Sequence, residues 1–258
     1  MKCIIVAAGM STRLRPLTDS LPKCLLLIGG KTILQRTIDN LLGAGITNIA
    51  LVVGFESEKV RSYLKHQFPE RRFRIILNPN FRSTNNAYSL FLARDFFLDS
   101  GTKTRESLLL LDSDILFHPR LLQVLQALTN ENTIVVRVKG AHDDEEVRVS
   151  VDGSGSVLKI GKDVDLEDLY GESIGIERFN HESARLLFDV LDRRVRRGNG
   201  RTEYYEVALQ EMIDLGVRFK GVDMADCPAV EIDSKDDLEL AERTIVPLID
   251  SSSNVRIQ

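Results

Sequence analysis

Residues 7–23, AAGMSTRLRPLTDSLPK, follow an apolar run with a glycine and then gather Arg13, Arg15 and Lys23. Small Ala7 and Ala8 with Gly9 permit close approach of a ligand to the backbone. The amides of Met10, Ser11 and Thr12 can donate to phosphate oxygens, and Arg13 and Lys23 supply positive charge. The stretch contains neither GxGxxG nor the P-loop pattern, so it matches neither of those phosphate sites. A tight turn with solvated arginines is the alternative, and Arg15 fits that best.

Acids appear at two other places. LLLLDSDI, residues 108–115, is a leucine run that stops at Asp112 and Asp114. Side chains two apart share a strand face, and carboxylates at a strand end suit a hard cation. Far downstream, EIDSKDDL at 231–238 puts a second carboxylate cluster, with Glu231 and Asp233, before a helix-start pattern, where Asp233 reads as a helix cap. NPNFRSTNNAYSLFLA, residues 78–93, sets Asn85 and Asn86 ahead of an apolar helical run. They read as helix caps. His66, His118, His142 and His181 sit in polar or helical contexts and are expected at the surface.

The elements that must position these residues are legible as runs. KCIIVAA, NIALVVG, FRIILN and SLLLLDSD are strand-like without strict alternation, as in a sheet buried on both faces. Between them the spacing predicts helices over 33–45, 56–68, 86–98 and 119–130. Strand and helix alternate to about residue 130, the pattern of a doubly wound sheet. TIVVRVK, EVRVSVD, SVLKIGK and YGESIGIERF then predict an antiparallel extension, with DGSGS as a turn. Helices at 181–200 and 204–216, a strand at 217–224 and a closing helix at 235–249 complete the pattern.

The fold class expected is α/β, doubly wound and Rossmann-like, with a mixed, mostly parallel sheet and a small antiparallel accessory part. One domain is expected over 1–250. Its nucleotide-binding part is about 1–130, followed by a second part about 131–222 and a closing segment about 223–250, with 251–258 as a tail.

The first stretch resembles the signature of the nucleotidyltransferases that make sugar nucleotides and related activated compounds, roughly AAGxGTRLxPLTxxxPK. Ala7, Ala8, Gly9, Thr12, Arg13, Leu14, Pro16, Leu17, Thr18, Pro22 and Lys23 match, and Ser11 departs where that pattern has a second glycine. The resemblance implies that Arg13 and Lys23 hold the triphosphate and the reacting α-phosphate, and that the backbone from Ala7 lies beside base and ribose. It places Asp112 with the nucleotide, magnesium on Asp114, and a second metal-binding acid at Asp233, with Glu231 nearby.

The asparagine turn is similar to the TNNxYSL pattern of the choline-phosphate, inositol-phosphate and phosphonate cytidylyltransferase branch. That implies CTP, with Asn85, Asn86 and Ser89 near the cytidine. VLKIGKDV, GESIGIERF and TEYYEVALQEM also resemble segments of this branch. They imply that Lys159 or Lys162 meets the acceptor phosphate and that Glu172, Glu203, Tyr204 and Tyr205 wall the acceptor pocket.

The implied reaction joins a nucleoside triphosphate to a small phosphorylated alcohol or phosphonate and releases pyrophosphate. The acceptor is phosphocholine-like, aminoethylphosphonate-like or a polyol phosphate. A uridylyl- or guanylyltransferase acting on a hexose 1-phosphate is the alternative within the class. A nucleotide-sugar glycosyltransferase would use the DSD acids equally well, but PLTDSLPK counts against it.

Composition bounds the partners. The 258 residues are 43% hydrophobic, enough for a sizeable core, and the formal charge of −4 with scattered basic residues argues against nucleic acid or a membrane surface. Cys3, Cys24 and Cys227 lack metal-ligand spacing and suit a reducing compartment, so a cytoplasmic location is expected. No apolar stretch approaches the ~18 residues of a membrane span. The oligomeric state is left open.

Overall fold

The run at residues 2–7 forms β1 (Lys2–Ala7), and all six of its residues are buried. Lys2 is included because its ammonium donates to the carbonyls of Phe96 and Phe97 at 2.8 and 3.1 Å. The computed structural model to which β1 belongs describes residues 1–98, 105–138, 147–224 and 227–253. His142 and the expected tail at 254–258 lie outside the described residues.

A short hairpin of β2 (Leu27–Ile28) and β3 (Lys31–Thr32) leads into α1 (Ile33–Gly43). Thr32 caps α1, its hydroxyl accepting from Gln35 N at 3.0 Å. Then come β4 (Asn48–Val53), α2 (Ser57–Gln67), β5 (Arg74–Leu77), α3 (Asn86–Leu92), α4 (Arg94–Leu98) and β6 (Leu108–Asp112). The single helix expected over 86–98 is thus two, turning at Ala93, whose N–H reaches back only three residues to the Leu90 carbonyl. A three-residue strand, β7 (Ile115–Phe117), and α5 (Arg120–Ala127) follow.

The second half contains β8 (Asn132–Arg137), β9 (Arg148–Val151), β10 (Val157–Gly161), β11 (Gly171–Phe179), α6 (His181–Arg196), α7 (Glu206–Asp214) and β12 (Phe219–Asp223). Last come β13 (Ala229–Glu231), α8 (Lys235–Leu240) and α9 (Val246–Ser253). The expected closing helix is interrupted by a π turn at Ala241–Ile245. Pro247 has no N–H to offer a carbonyl of the preceding turn, which accounts for the wider register just before it. Residues 251–253, expected in the tail, continue α9.

Among the described residues, nine strands form one sheet. β1 pairs in parallel with β4 and β6, and β4 with β5. β11 runs antiparallel to β6, β8 and β9, while β12 lies parallel to β8 and β10 antiparallel to β9. Only β10 and β11 therefore oppose the common direction, and the sheet is mostly parallel.

Helices cover both faces. Cys3, Ile5 and Ala7 of β1 pack in the core that includes Ile38, Val60 and Leu121 of α1, α2 and α5. Ile4 and Val6 pack in the core that includes Leu90, Leu187 and Met212 of α3, α6 and α7. A smaller core of Leu14, Ile28, Leu116, Val230 and Ile249 fastens the closing segment to the N-terminal loop.

Candidate active site

Parallel strands present their carboxyl ends to a common edge, and side chains just beyond them are where a ligand is met. Ala7 at the end of β1, Asn78 after β5 and Asp112 at the end of β6 line one cleft of about 600 Å³.

At one end of the cleft the two distant acid stretches meet. β13 pairs antiparallel with β7, Glu231 opposite Ile115, and Ile232 N–H donates to the Asp114 carbonyl at 2.9 Å. Carboxylate oxygens of Asp114, Glu231 and Asp233 consequently lie within 4.8 Å of one another. Lys23, only 6% exposed, donates to Asp114 Oδ2 at 2.8 Å and to Asp233 Oδ1 at 2.5 Å. Arg13 Nη2 reaches Asp233 Oδ2 at 2.9 Å.

Burial opposes the charge of Lys23, but Asp114 and Asp233 outweigh it and hold the ammonium above the ordinary lysine range. Partial burial would raise Asp233, yet Lys23 and Arg13 keep it below the usual carboxylate value. Glu231 is pushed well up by burial and by the charges of Asp114 and Asp233. The donor set fits a hard cation: all ligands are oxygens, and Asp114 Oδ1 is buried with no hydrogen-bond partner.

The loop after β1 is held close to its neighbours. Phe55 N–H donates to the Ala8 carbonyl at 3.2 Å, and a Cβ on Gly54 would stand 2.7 Å from that oxygen. Ser11 takes φ +48°, the left-handed region that favours glycine, and Thr18 Oγ1 fixes its carbonyl at 2.7 Å. The one departure from the family pattern thus adopts the conformation a glycine would adopt.

Across the cleft, Asn85 caps α3, its Oδ1 accepting from Asn86 N–H at 2.8 Å, and Asn86 Oδ1 accepts from Tyr205 N–H at 2.8 Å. Both side-chain oxygens serve the backbone, and both residues line the cleft. Ser89 is buried, and Asn78 Nδ2 donates to its hydroxyl at 3.0 Å.

The remaining wall comes from the second half of the chain. Arg137 Nη2 donates to Glu172 Oε2 at 2.7 Å, and Glu172 is 2% exposed. Lys162 lies with its Nζ 5.3 Å from the centre of the Tyr204 ring. Glu206, also buried, closes this wall, and burial pushes its carboxyl up to about 7.

Residues 2–158 match the family described as Nucleotidyl transferase. The chain belongs to that family. Among its relatives, the CTP:phosphoglutamine cytidylyltransferase of Campylobacter jejuni is 29% identical over 254 residues, which cover 93% of this chain and 98% of that protein. The CMP-5'-(3-aminopropyl)phosphonate synthase of Streptomyces rubellomurinus is 26% identical over 96% of this chain but only 39% of its own length. The solved structure of CTP:phosphocholine cytidylyltransferase from Streptococcus pneumoniae superposes with a TM-score of 0.76 at 24% identity, covering 95% of this chain and 98% of that one.

Most of the nucleotidyl transferase site expected from the sequence converges on the cleft. Ala7, Ala8, Gly9, Ser11, Arg13, Lys23, Asn85, Asn86, Ser89, Asp112, Asp114, Lys162, Glu172, Tyr204 and Asp233 line it.

Five expected residues do not. Met10 turns its sulfur to Arg82, 3.9 Å away, and Thr12 opens an exposed turn. Lys159 pairs with Asp163 at 3.0 Å, so Lys162 is the lysine of that segment at the cleft. Glu203 is taken by Arg194 through two bonds of 2.7 and 2.9 Å. Tyr205 is fully buried beneath the wall instead of forming it. His66, His118 and His181 line no part of the cleft.

Residues not singled out from sequence also reach the cleft. Asn78 organises the asparagine turn, accepting from Asn80 N–H at 2.9 Å, and its only signal was an amide ending a strand. Arg137 and Glu206 carried no signal, being one charge at the end of a strand and one acid at a helix start.

Proposed function

We propose that this chain is a cytidylyltransferase that condenses CTP with a small phosphorylated alcohol or phosphonate, giving a CDP-alcohol or CMP-phosphonate and pyrophosphate. The observation that carries this reading is the convergence of Lys23 and Arg13 with Asp114 and Asp233 at one end of a cleft. An oxygen of the acceptor's phosphate or phosphonate attacks the α-phosphorus, and the bond from that phosphorus to the bridging oxygen of pyrophosphate breaks. The attacking oxygen is already anionic near neutral pH, so no strong base is required, and no histidine among the described residues lines the cleft.

The work left to the protein is alignment and charge neutralisation. Lys23, drawn away from its carboxylates, and Arg13 would meet the triphosphate oxygens. Magnesium held by Asp114, Asp233 and Glu231 would neutralise further charge on the phosphates.

CTP is supported by two names among the relatives, which specify CTP or a CMP product. It is also supported by the asparagine turn. With both Oδ1 atoms occupied by backbone N–H groups, the Nδ2 donors remain for a base. Cytosine offers adjacent acceptors at O2 and N3, whereas uracil presents a donor at N3. At the far wall, Arg137 and Lys162 suit the acceptor's phosphate. Cys3, Cys24 and Cys227 are buried thiols, which suits a reducing compartment. No helix among the described residues is long and apolar enough to cross a membrane.

The test is a matrix of four nucleoside triphosphates against phosphocholine, aminoethylphosphonate, phosphoglutamine, inositol phosphate and hexose 1-phosphates, read as pyrophosphate release with magnesium. Release with CTP and one of the first four acceptors is expected. Turnover confined to UTP or GTP with a hexose phosphate would overturn the proposal.

A further inference from the structure

Tyr205 lies fully buried at the entry to α7, between two residues, Tyr204 and Glu206, that line the cleft. Three contacts run from it to other parts of the site. Its N–H donates to Asn86 Oδ1 at 2.8 Å, and its phenolic oxygen lies 3.1 Å from Asp112 Oδ2 and 3.2 Å from Glu177 Oε2. A phenol has one hydrogen, so it cannot donate to both carboxyls at once, and one of them must supply a hydrogen of its own.

Glu177 is placed to do so. It is 0% exposed, and its other oxygen accepts from Ser173 Oγ at 3.2 Å. Burial and the neighbouring Glu206 push its carboxyl up to about 8. Asp112 borders the cleft, and burial and the neighbouring acids raise its carboxyl as well. Gly175, at φ +70°, also packs against this carboxyl, and a Cβ there would come within 2.5 Å of Asp112 Oδ2. The Gly175 backbone and the Tyr205 phenol thus both bear on the same oxygen of Asp112.

We propose that Tyr205 is a positioning residue for nucleotidyl transfer: its hydroxyl fixes Asp112 and its amide fixes Asn86, so the segment that forms the acceptor wall also sets two points on the nucleotide side. Tyr205 itself touches no substrate. The assignment goes beyond the choice of nucleotide and holds for whichever triphosphate the activity matrix selects.

A double-mutant cycle of Tyr205→Phe and Asp112→Asn tests it, because phenylalanine keeps the ring and the amide and removes only the hydroxyl. In the wild-type background Tyr205→Phe is expected to lower kcat/KM about tenfold, the scale of one hydrogen bond to a charged group. In the Asp112→Asn background it is expected to cost less than about twofold, since the group it acts through is already altered. Nucleotide affinity measured by calorimetry closes the same cycle where turnover is too slow to follow. Glu177→Leu is expected to lose as much as Tyr205→Phe, and Glu177→Gln, whose amide can donate to the phenol, to recover most of that loss. Equal losses in the two backgrounds, no loss from Tyr205→Phe, or full activity in Glu177→Leu would overturn the assignment.

Discussion

The ammonium of Lys23 lies 2.8 Å from Oδ2 of Asp114, joining the loop after the first strand to the end of the strand beside it. It also reaches Asp233, so one buried cation holds two carboxylates that would otherwise repel. Lys23→Met removes that cation together with the phosphate contact proposed for it. The expected loss in kcat/KM is on the order of 10²–10³-fold, as for removal of one preorganised electrostatic contact. Stability is expected to fall by about 3 kcal/mol, because two partly buried charges lose their partner. Chemical denaturation read alongside pyrophosphate release separates the two effects. Wild-type turnover in the variant would remove Lys23 from the mechanism.

The carboxylate cluster makes a separate prediction about divalent cations. Because Asp114, Glu231 and Asp233 offer only oxygen donors, magnesium or manganese is expected to raise the melting temperature of the wild-type protein, and chelation to reverse the rise. Asp114→Asn and Asp233→Asn each remove a charged ligand and are expected to shift the titration midpoint to higher magnesium by about tenfold or more. A midpoint unchanged in both variants would place the metal elsewhere.

How far the site could be read in the chain depends on how local each part is. The strands of the first half were legible because residues such as Ile4, Ile5, Leu109 and Leu110 are buried on both faces, which writes an unbroken apolar run. The loop chemistry from Ala7 to Lys23 was legible because it is contiguous. The meeting of Asp233 with Asp114 rested on resemblance alone, since it is made by β7 and β13, strands of three residues each, too short to carry a period. Tyr204 and Tyr205 are the same type at adjacent positions, and nothing in their neighbours says which turns inward. Glu203 was similarly ambiguous: its partner Arg194 is brought up only when α6 ends and the chain reverses.

The buried acids beside Tyr205 give stability a pH dependence of known sign. An unfolded glutamate releases its proton near the ordinary 4.5, whereas Glu177 in the folded chain holds it to about 8, chiefly through burial. Between those values the folded state binds more protons than the unfolded one, so stability falls as pH rises through this window. Glu177→Gln removes the titration and keeps a donor for the phenol. The variant is expected to melt several degrees above wild type at pH 8, with the difference shrinking towards pH 5. A difference that is constant across that range, or reversed, would count against a protonated Glu177.

Ser11 offers a test of backbone strain in the loop after β1. At φ +48° a residue with a Cβ pays a steric cost of roughly 1–2 kcal/mol that glycine does not. Glycine gives part of this back by being freer in the unfolded chain. Ser11→Gly is therefore expected to change stability by no more than about 1 kcal/mol, in the stabilising direction, and to leave the Thr18 bond to the residue 11 carbonyl in place. Ser11→Val adds a β-branched side chain to the same conformation and is expected to destabilise by more than about 1 kcal/mol while raising KM for the nucleotide. Denaturant midpoints for the pair decide the matter. If valine is tolerated as well as glycine, the loop does not hold the left-handed conformation at residue 11.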